Sequence, residues 1–299
     1  MNVLIPGGAG YVGAVLVPHL RDAGHKVTVY DLPDGDVRDA DAFRRACDGQ
    51  DAVIYLASIS NNDQCVREPE LAESVNIKAM FHVPEIARDA GVKRFIYASS
   101  VAGYGVGRPD GNGGYLPSKE TQGLCTPTPY ALGKLCGEGA LSGHTNYVVV
   151  RSASVCGWSP KIRYDLTVNK MVHDALRHGR IVVNGGEQKR SHIHILDLCD
   201  FYRLLLDVGM ERIAMQRFNV VAENQSVMET AECVIRTLSG QRRRARNMVA
   251  FIEASEATDN RSYTVDGAKA REMLGFSPRR TIADAVREIQ ARMELSHAA

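Results

Sequence analysis

The chain has 299 residues, with 36 Lys and Arg against 35 Asp and Glu, a formal net charge of +1. That length allows one or two domains around a large core, and the near-neutral balance excludes a nucleic-acid binder that relies on broad phosphate attraction. With 44% hydrophobic and 24% charged residues the composition is that of an ordinary soluble globular protein, and no apolar run approaches the roughly 20 residues needed to span a bilayer.

In chain order, short β-branched runs alternate with helical patterns. Strands are predicted at Asn2–Ile5, Lys26–Tyr30, Ala52–Leu56, Arg94–Ala98 and Asn146–Val150, and helices at Val12–Ala23, Asp39–Cys47, Leu71–Ala90 and Tyr130–Leu141. Such alternation implies parallel strands with helical crossovers, an α/β doubly wound sheet, and the near-continuous apolar runs fit strands covered on both faces. After about Gly157 the rhythm changes. A Lys/Arg-containing loop leads to a helix at Leu166–His178, a strand at Ile181–Val183 and a turn at Gly185-Gly186. A helix at Leu196–Val208 and a strand at Arg217–Val221 follow, then helices at Val227–Leu238, Ala268–Leu274 and Ile282–Leu295. The expected organisation is a dinucleotide-binding unit over residues 1–157, with 193–222 returning to it, and a smaller C-terminal α/β lobe made mainly of residues 158–299. The run Arg242-Arg243-Arg244 with Arg246 has no interleaved aromatics and reads as a solvated surface.

Seven cysteines, an odd number without C-x-x-C spacing, make neither a disulfide framework nor a zinc site, so reduced thiols and no metal are expected. The first strand starts almost at once, with no basic stretch and apolar signal segment ahead of it, which favours a cytoplasmic protein.

The first strand runs into Pro6-Gly7-Gly8-Ala9-Gly10-Tyr11-Val12-Gly13 and then a helix. Gly7, Gly10 and Gly13 permit a tight turn, let a pyrophosphate approach the backbone, and allow the helix to pack closely on the strand. The helix start presents unpaired N–H groups and a positive dipole end to phosphates, so strand, turn and helix together point to dinucleotide binding. The second strand ends in Asp31, whose carboxylate can accept hydrogen bonds from the adenosine ribose and repels a 2′-phosphate, favouring NAD over NADP. Only a short connection separates Asp31 from Asp36-Val37, a pair placed to lie beside the adenine, so the usual crossover helix is expected to be missing there.

Tyr130-Ala131-Leu132-Gly133-Lys134 puts a phenol and an ammonium at i and i+4 on one helix face. A free tyrosine has a pKa of about 10, too high for a base at neutral pH, and an adjacent Lys cation is expected to lower it. Strand Arg94–Ala98 leads into Ser99-Ser100 at the carboxyl edge of the sheet, where a hydroxyl can bond a substrate oxygen and assist proton transfer. The turn, the acidic residue, the serines and the Tyr/Lys pair together specify nicotinamide redox chemistry at a carbinol carbon.

On these motifs the chain resembles the extended short-chain dehydrogenase/reductase family, particularly its nucleotide-sugar epimerases and dehydratases. Gly7–Gly13, Asp31, Asp36-Val37, Leu56-Ala57, Asn76, Ala98-Ser99-Ser100 with Tyr104-Gly105, and Pro129-Tyr130 with Lys134 fall in the family's order. The resemblance implies a Rossmann-type sheet and an NAD cofactor held by Gly7, Gly10, Tyr11, Val12, Gly13, Asp31, Asp36, Val37, Leu56, Ala57, Asn76, Ser99, Tyr130 and Lys134. It implies Ser100, Tyr130 and Lys134 as the catalytic set, with Asn76 as a structural and proton-relay residue. Substrate contacts would come from Ser100, Tyr104, Ser154, Arg190 and Arg261, the two arginines on the phosphates. His194, in Ser191–Asp197, occupies a packing position. Ser154 and Cys156-Gly157 depart from the family's usual Asn and Tyr-Gly, and the Asp-Glu pair of the 4,6-dehydratases is absent after Ser100, which disfavours a dehydratase. The expected activity is NAD-dependent 4-epimerisation of a nucleotide sugar through a transient keto-sugar. Its rivals are a net sugar or keto-sugar-nucleotide dehydrogenase or reductase, and a non-catalytic NAD-binding regulator. A homodimer through Leu71–Ala90 and Tyr130–Leu141 is a further expectation from the resemblance.

Overall fold

The computed structural model describes residues 1–112, 114–125, 128–240, 251–255 and 261–298; the Arg242–Arg246 run lies outside them. The N-terminal half contains β1 (Asn2–Pro6), α1 (Gly13–Asp22), β2 (Lys26–Tyr30), α2 (Ala40–Cys47), β3 (Ala52–Tyr55), α3 (Asn62–Arg67), α4 (Pro69–Asn76), α5 (Val83–Asp89), β4 (Arg94–Ser100), a hairpin of β5 (Arg108–Pro109) and β6 (Tyr115–Leu116), α6 (Pro129–Ala140) and β7 (Tyr147–Ser152). The C-terminal half adds β8 (Ser154–Cys156), α7 (Thr167–His178), β9 (Arg180–Asn184), β10 (Lys189–His194), α8 (Ile195–Asp207), α9 (Met210–Ile213), β11 (Gln216–Val220), β12 (Glu223–Ser226), α10 (Val227–Gly240), β13 (Phe251–Ser255), α11 (Ala268–Leu274) and α12 (Ile282–Ala298).

A six-stranded sheet runs in the order β11-β7-β4-β3-β1-β2, parallel throughout. Alternation along each central strand explains its two covers. Val3 and Ile5 of β1, Ile54 of β3, Ile96 of β4 and Val148 and Val150 of β7 enter one core with Leu16 and Leu20 of α1 and Leu198, Phe201 and Leu205 of α8. Leu4, Val53, Tyr55, Phe95, Tyr97 and Val149 enter the other, with Phe43 of α2, Met80, and Ile86 of α5. Strand order reverses between β1 and β3, and this is where an open α/β sheet splits to receive a ligand.

No helix lies between Asp31 and Asp36, as the short connection predicts, but the crossover into β3 keeps its helix, α2, further on. Its N-cap, Asp39, accepts a hydrogen bond from Ala42 N–H at 2.9 Å. Strand β2 is an edge strand; Val29 in it is 39% exposed and Leu32 just after it 65%. The predicted helix Leu71–Ala90 is a correction: it breaks into α4, a 3₁₀ turn at Lys78–Phe81, and α5. Pro84, which lacks an N–H, sits in the first turn of α5, where no intrahelical partner for it is needed, so a new helix starts there.

The return of the chain to the sheet is direct: β11 pairs with β7 in register Phe218↔Val150, and Arg94 of β4 caps the end of α8 by donating to the carbonyls of Leu205 and Val208. The remaining C-terminal elements bury their own core, with Val168, Met171 and Val172 of α7, Ala231 and Val234 of α10, and Ile282, Val286 and Ile289 of α12. Short strands β8, β10 and β12 form a second sheet and β9 pairs with β13. Among the described residues no helix is long and apolar enough to cross a membrane.

Candidate active site

A cleft of about 600 Å³ opens at the split between β1 and β3 and extends to β8. Its floor at one end is the turn after β1. Gly7 has φ +79°, and a Cβ there would sit 2.5 Å from the Ala57 backbone nitrogen, so only glycine allows the turn to lie on the end of β3. Gly13 is excluded from larger side chains by the backbone of Gly8, which lets α1 start directly over the turn. Ala14 N–H closes onto Gly10 O at 2.9 Å and Gly10 N–H onto Gly7 O at 3.2 Å, which leaves the amides of Tyr11, Val12 and Gly13 as the donors of the helix start. Asp31 lies beside them: its Oδ2 accepts from Ala9 N–H and its Oδ1 from Leu32 N–H, both at 2.9 Å. Each oxygen keeps acceptor capacity toward the cleft. Asp36 is gripped by Arg38, which holds its carboxyl below the usual range, and Val37, Leu56 and Ala57 continue the wall. This cradle of glycines, open amides and an acidic ribose acceptor fits a dinucleotide.

At the centre of the cleft, β4 supplies Ser100 and α6 supplies Tyr130 and Lys134. The helix is started by Thr128, whose hydroxyl accepts from Ala131 N–H, with Pro129 in its first turn. Ser100 and Tyr130 line the same part of the cleft, and Lys134 Nζ donates to Ala98 O at 2.8 Å. Burial raises the Tyr130 pKa above its ordinary value, while the nearby Ser100 hydroxyl and the Arg163 charge pull it back. Lys134 Nζ stands 5.8 Å from the Tyr130 ring centroid, and burial pushes the Lys134 pKa down to about 8.

Ser99 is part of the cleft wall, but its hydroxyl is committed to Glu138 Oε1, to which it donates at 2.5 Å. Asn76 is buried behind the wall: its side chain accepts from Ile59 N–H at 2.8 Å and donates to Ile59 O at 3.0 Å, fixing the loop after β3 that lines the cleft. Tyr104 is a correction. It is 1% exposed and its hydroxyl donates to Asn219 Oδ1 at 2.7 Å, which commits it to the interior. Ser154 lines the cleft, as do Tyr11 and Val12. Arg190 and Arg261 stand outside the cleft lining: an Arg190 Nη1 donor is used on the Arg261 carbonyl. His194 accepts from Leu196 N–H at the start of α8 and lies 3.3 Å from Glu288, in keeping with a packing position.

Two residues unmarked in the sequence complete the cleft. Arg163, in the loop after β8, reaches it while paired to Asp165 (Nη2–Oδ2 2.5 Å) and donating to Ser60 Oγ at 2.5 Å. Asn169 on α7, 0% exposed, holds that loop: it accepts from Gly157 N–H and donates to Arg163 O and to the Tyr11 hydroxyl. Tyr11 in turn donates to Gly157 O at 2.8 Å, so the glycine turn and the C-terminal loop share one polar cluster. The only advance signal was the Lys/Arg content of that loop; Asn169 carried none.

Fold and cleft define a nicotinamide-dinucleotide enzyme, with Ser100, Tyr130 and Lys134 brought together at the centre of the cleft. The chain belongs to the NAD dependent epimerase/dehydratase family, whose model matches residues 3–220. It is 27% identical over 321 aligned positions to a UDP-glucose 4-epimerase of Streptomyces lividans, spanning 93% of this chain and 91% of that one. A UDP-glucose 4-epimerase of Mycolicibacterium smegmatis is 26% identical, with 96% of each chain covered. In fold it matches a UDP-glucose 4-epimerase of Thermotoga maritima solved with UDP-glucose (TM-score 0.82, 23% identity, 99% of this chain and 100% of that one). It also matches a Stenotrophomonas maltophila epimerase solved with NAD and formylated UDP-arabinopyranose (TM-score 0.86, 20% identity, all of both chains).

Proposed function

We propose that the protein is an NAD-dependent nucleotide-sugar epimerase that inverts a sugar carbinol carbon, C4, through a transient keto-sugar. The observation that carries this reading is the convergence of Ser100, Tyr130 and Lys134 on the cleft into which the glycine turn opens. Likeness to UDP-glucose 4-epimerases along nearly the whole chain supports it and makes UDP-hexoses the first substrates to test. The amides of Tyr11–Gly13 would hold the pyrophosphate, Asp31 and Asp36 would take the adenosine end, and Val37, Leu56 and Ala57 would line its path. NAD, when bound, supplies the hydride acceptor and donor at the carbinol carbon. Tyr130 as phenolate takes the hydroxyl proton, Ser100 bridges the same oxygen, and Tyr130 returns the proton once the keto-sugar has presented its other face. Lys134 orients the nicotinamide ribose. Ser154 lies toward the sugar, and Arg163, whose charge acts on Tyr130, is the cation at that end. We assign residues 1–157 and 193–222 to the cofactor and most of 158–299 to the substrate.

A net dehydrogenase or reductase acting on the same class of compound is the second reading, favoured by the open adenosine edge at Leu32, which would let the cofactor exchange. Denaturing freshly purified protein and quantifying released nicotinamide separates the two. About one NAD per chain supports internal recycling. An empty chain that converts no nucleotide sugar to its C4 epimer, yet oxidises one with added NAD, would replace the epimerase reading. We also expect a cytoplasmic homodimer through α4 and α6, in keeping with the seven free cysteines and with the exposed Phe81 and Leu132 on that side. Gel filtration tests the dimer.

A further inference from the structure

Beneath the cleft lies a buried ionic network that the proposed chemistry does not use. Glu138 is one helical turn beyond Lys134 on α6 and is 3% exposed. Its carboxylate accepts from Ser99 Oγ at 2.5 Å, from Arg151 Nε at 2.9 Å and Nη2 at 2.7 Å, and from Arg217 Nε at 3.2 Å. These donors sit on β4, β7 and β11, so one carboxylate ties α6 to three adjacent strands. Arg151 is 4% exposed and lies opposite Ser99 in the β4–β7 register; its Nη1 donates on to Tyr104 at 3.0 Å. Two charges taken out of water regain their desolvation cost only with near-complete hydrogen bonding, and an apolar pair of the same shape generally stabilises a core as well. A fully satisfied ionic pair does what an apolar pair cannot: it fixes one geometry.

That geometry bears on the site. Ser99 immediately precedes Ser100, and Ala98, immediately before Ser99, accepts from Lys134. Glu138 thus grips the strand between the two points at which β4 meets Tyr130 and Lys134. We propose that Glu138 is a positioning residue that acts through Ser99 and Arg151 to set the separation between Ser100 on β4 and the Tyr130/Lys134 pair on α6. Its effect on turnover rests on the functional reading above; its effect on the Ser100–Tyr130 separation does not. The Ser100 hydroxyl pulls the Tyr130 pKa down, so Tyr130 titrates at higher pH once Ser100 is displaced.

The test compares Glu138→Gln and Ser99→Ala with the unmodified protein, both loaded with NAD. Ser99→Ala deletes one hydroxyl and leaves the Glu138–Arg151 pair in place, so it decides the matter if Glu138→Gln does not fold. Tyrosine labelled with ¹³C at Cζ reports each phenol directly, the Tyr130 signal being assigned with Tyr130→Phe. The expected result is a Tyr130 titration displaced upward in folded Ser99→Ala and Glu138→Gln. Turnover of a nucleotide sugar falls about tenfold with KM within about twofold. Folded variants with an unchanged Tyr130 titration and unchanged kcat would overturn the proposal. An unmodified protein that turns over no nucleotide sugar would overturn the functional reading instead, while the titration still decides the positioning role.

Discussion

Lys134 is 5% exposed, and burial pushes its ammonium down to about 8 from the ordinary value of 10.5. A lowered pKa on a base means that the folded state sheds a proton that the unfolded chain keeps. Between pH 8 and 10.5 the unfolded state therefore binds more protons, and stability rises with pH across that window. Below it the buried charge costs roughly 3 kcal/mol. Lys134→Met should therefore raise the thermal midpoint at pH 7 and lose that advantage near pH 11, while turnover falls by at least about 10²-fold. Melting curves across pH check the first half and a coupled assay the second. Tyr130 also faces Arg163, whose charge lowers its pKa against the effect of burial. Arg163→Met should move the acid limb of the kcat/KM profile to higher pH, cutting activity at pH 7 about tenfold and recovering it in alkali. A profile that keeps its acid limb would exclude that role.

Helix α6 is the element on which the site depends, and it lies unusually close to the sheet. A Cβ on Gly137 would overlap the Tyr97 hydroxyl, and one on Gly133 would come within 2.8 Å of Asn76 Cβ. Gly137→Ala should cost about 2–3 kcal/mol through overpacking, measured by urea unfolding, and adding Tyr97→Phe should return part of it. If the two changes add independently, the close approach is not what sets the cost. What could be read in advance follows element physics. Strands such as Val3–Ile5 and Val148–Val150 are buried on both faces, so their unbroken apolar runs announced them. Strand β12, Glu-Asn-Gln-Ser, has no apolar pattern, and its existence depends on β10 arriving beside it. The glycine turn and the Tyr130/Lys134 pair could be read because each is a short pattern within one turn or one helix face, while Asp31 and Ser100 stand at the ends of strands whose apolar runs mark them. Arg163 and Asn169 could not be read, since Arg163 earns its place through Ser60, 103 residues away, and Asn169 through Tyr11, 158 residues away. Tyr104 was misplaced for the same reason: its partner Asn219 comes from a strand added much later in the chain.

Across the whole molecule, the Tyr11–Asn169–Gly157 cluster joins the cofactor turn to the lobe that carries Arg163. Asn169→Ala would leave Gly157 N–H and Gly157's neighbour loop without their buried partner, a loss of about 2–3 kcal/mol. Because the loop bearing Arg163 is held there, KM for the sugar substrate should rise more than the dissociation constant for NAD. Steady-state kinetics beside a direct NAD titration would show it, and equal losses in both would point to general unfolding.

Strand β11 closes the far edge of the sheet, yet it is made of residues 216–220, after α7, β9, β10 and α8 have been laid down. A chain emerging from the ribosome therefore holds β7, with Val148, Val149 and Val150, as a bare apolar edge until some 60 further residues have been synthesised, by the spacing of these elements in the order described. The nucleotide half is not a unit that matures first and waits for its partner. A fragment ending at Gly157 should collect as aggregates in cells, whereas the full chain should remain largely in the supernatant after lysis.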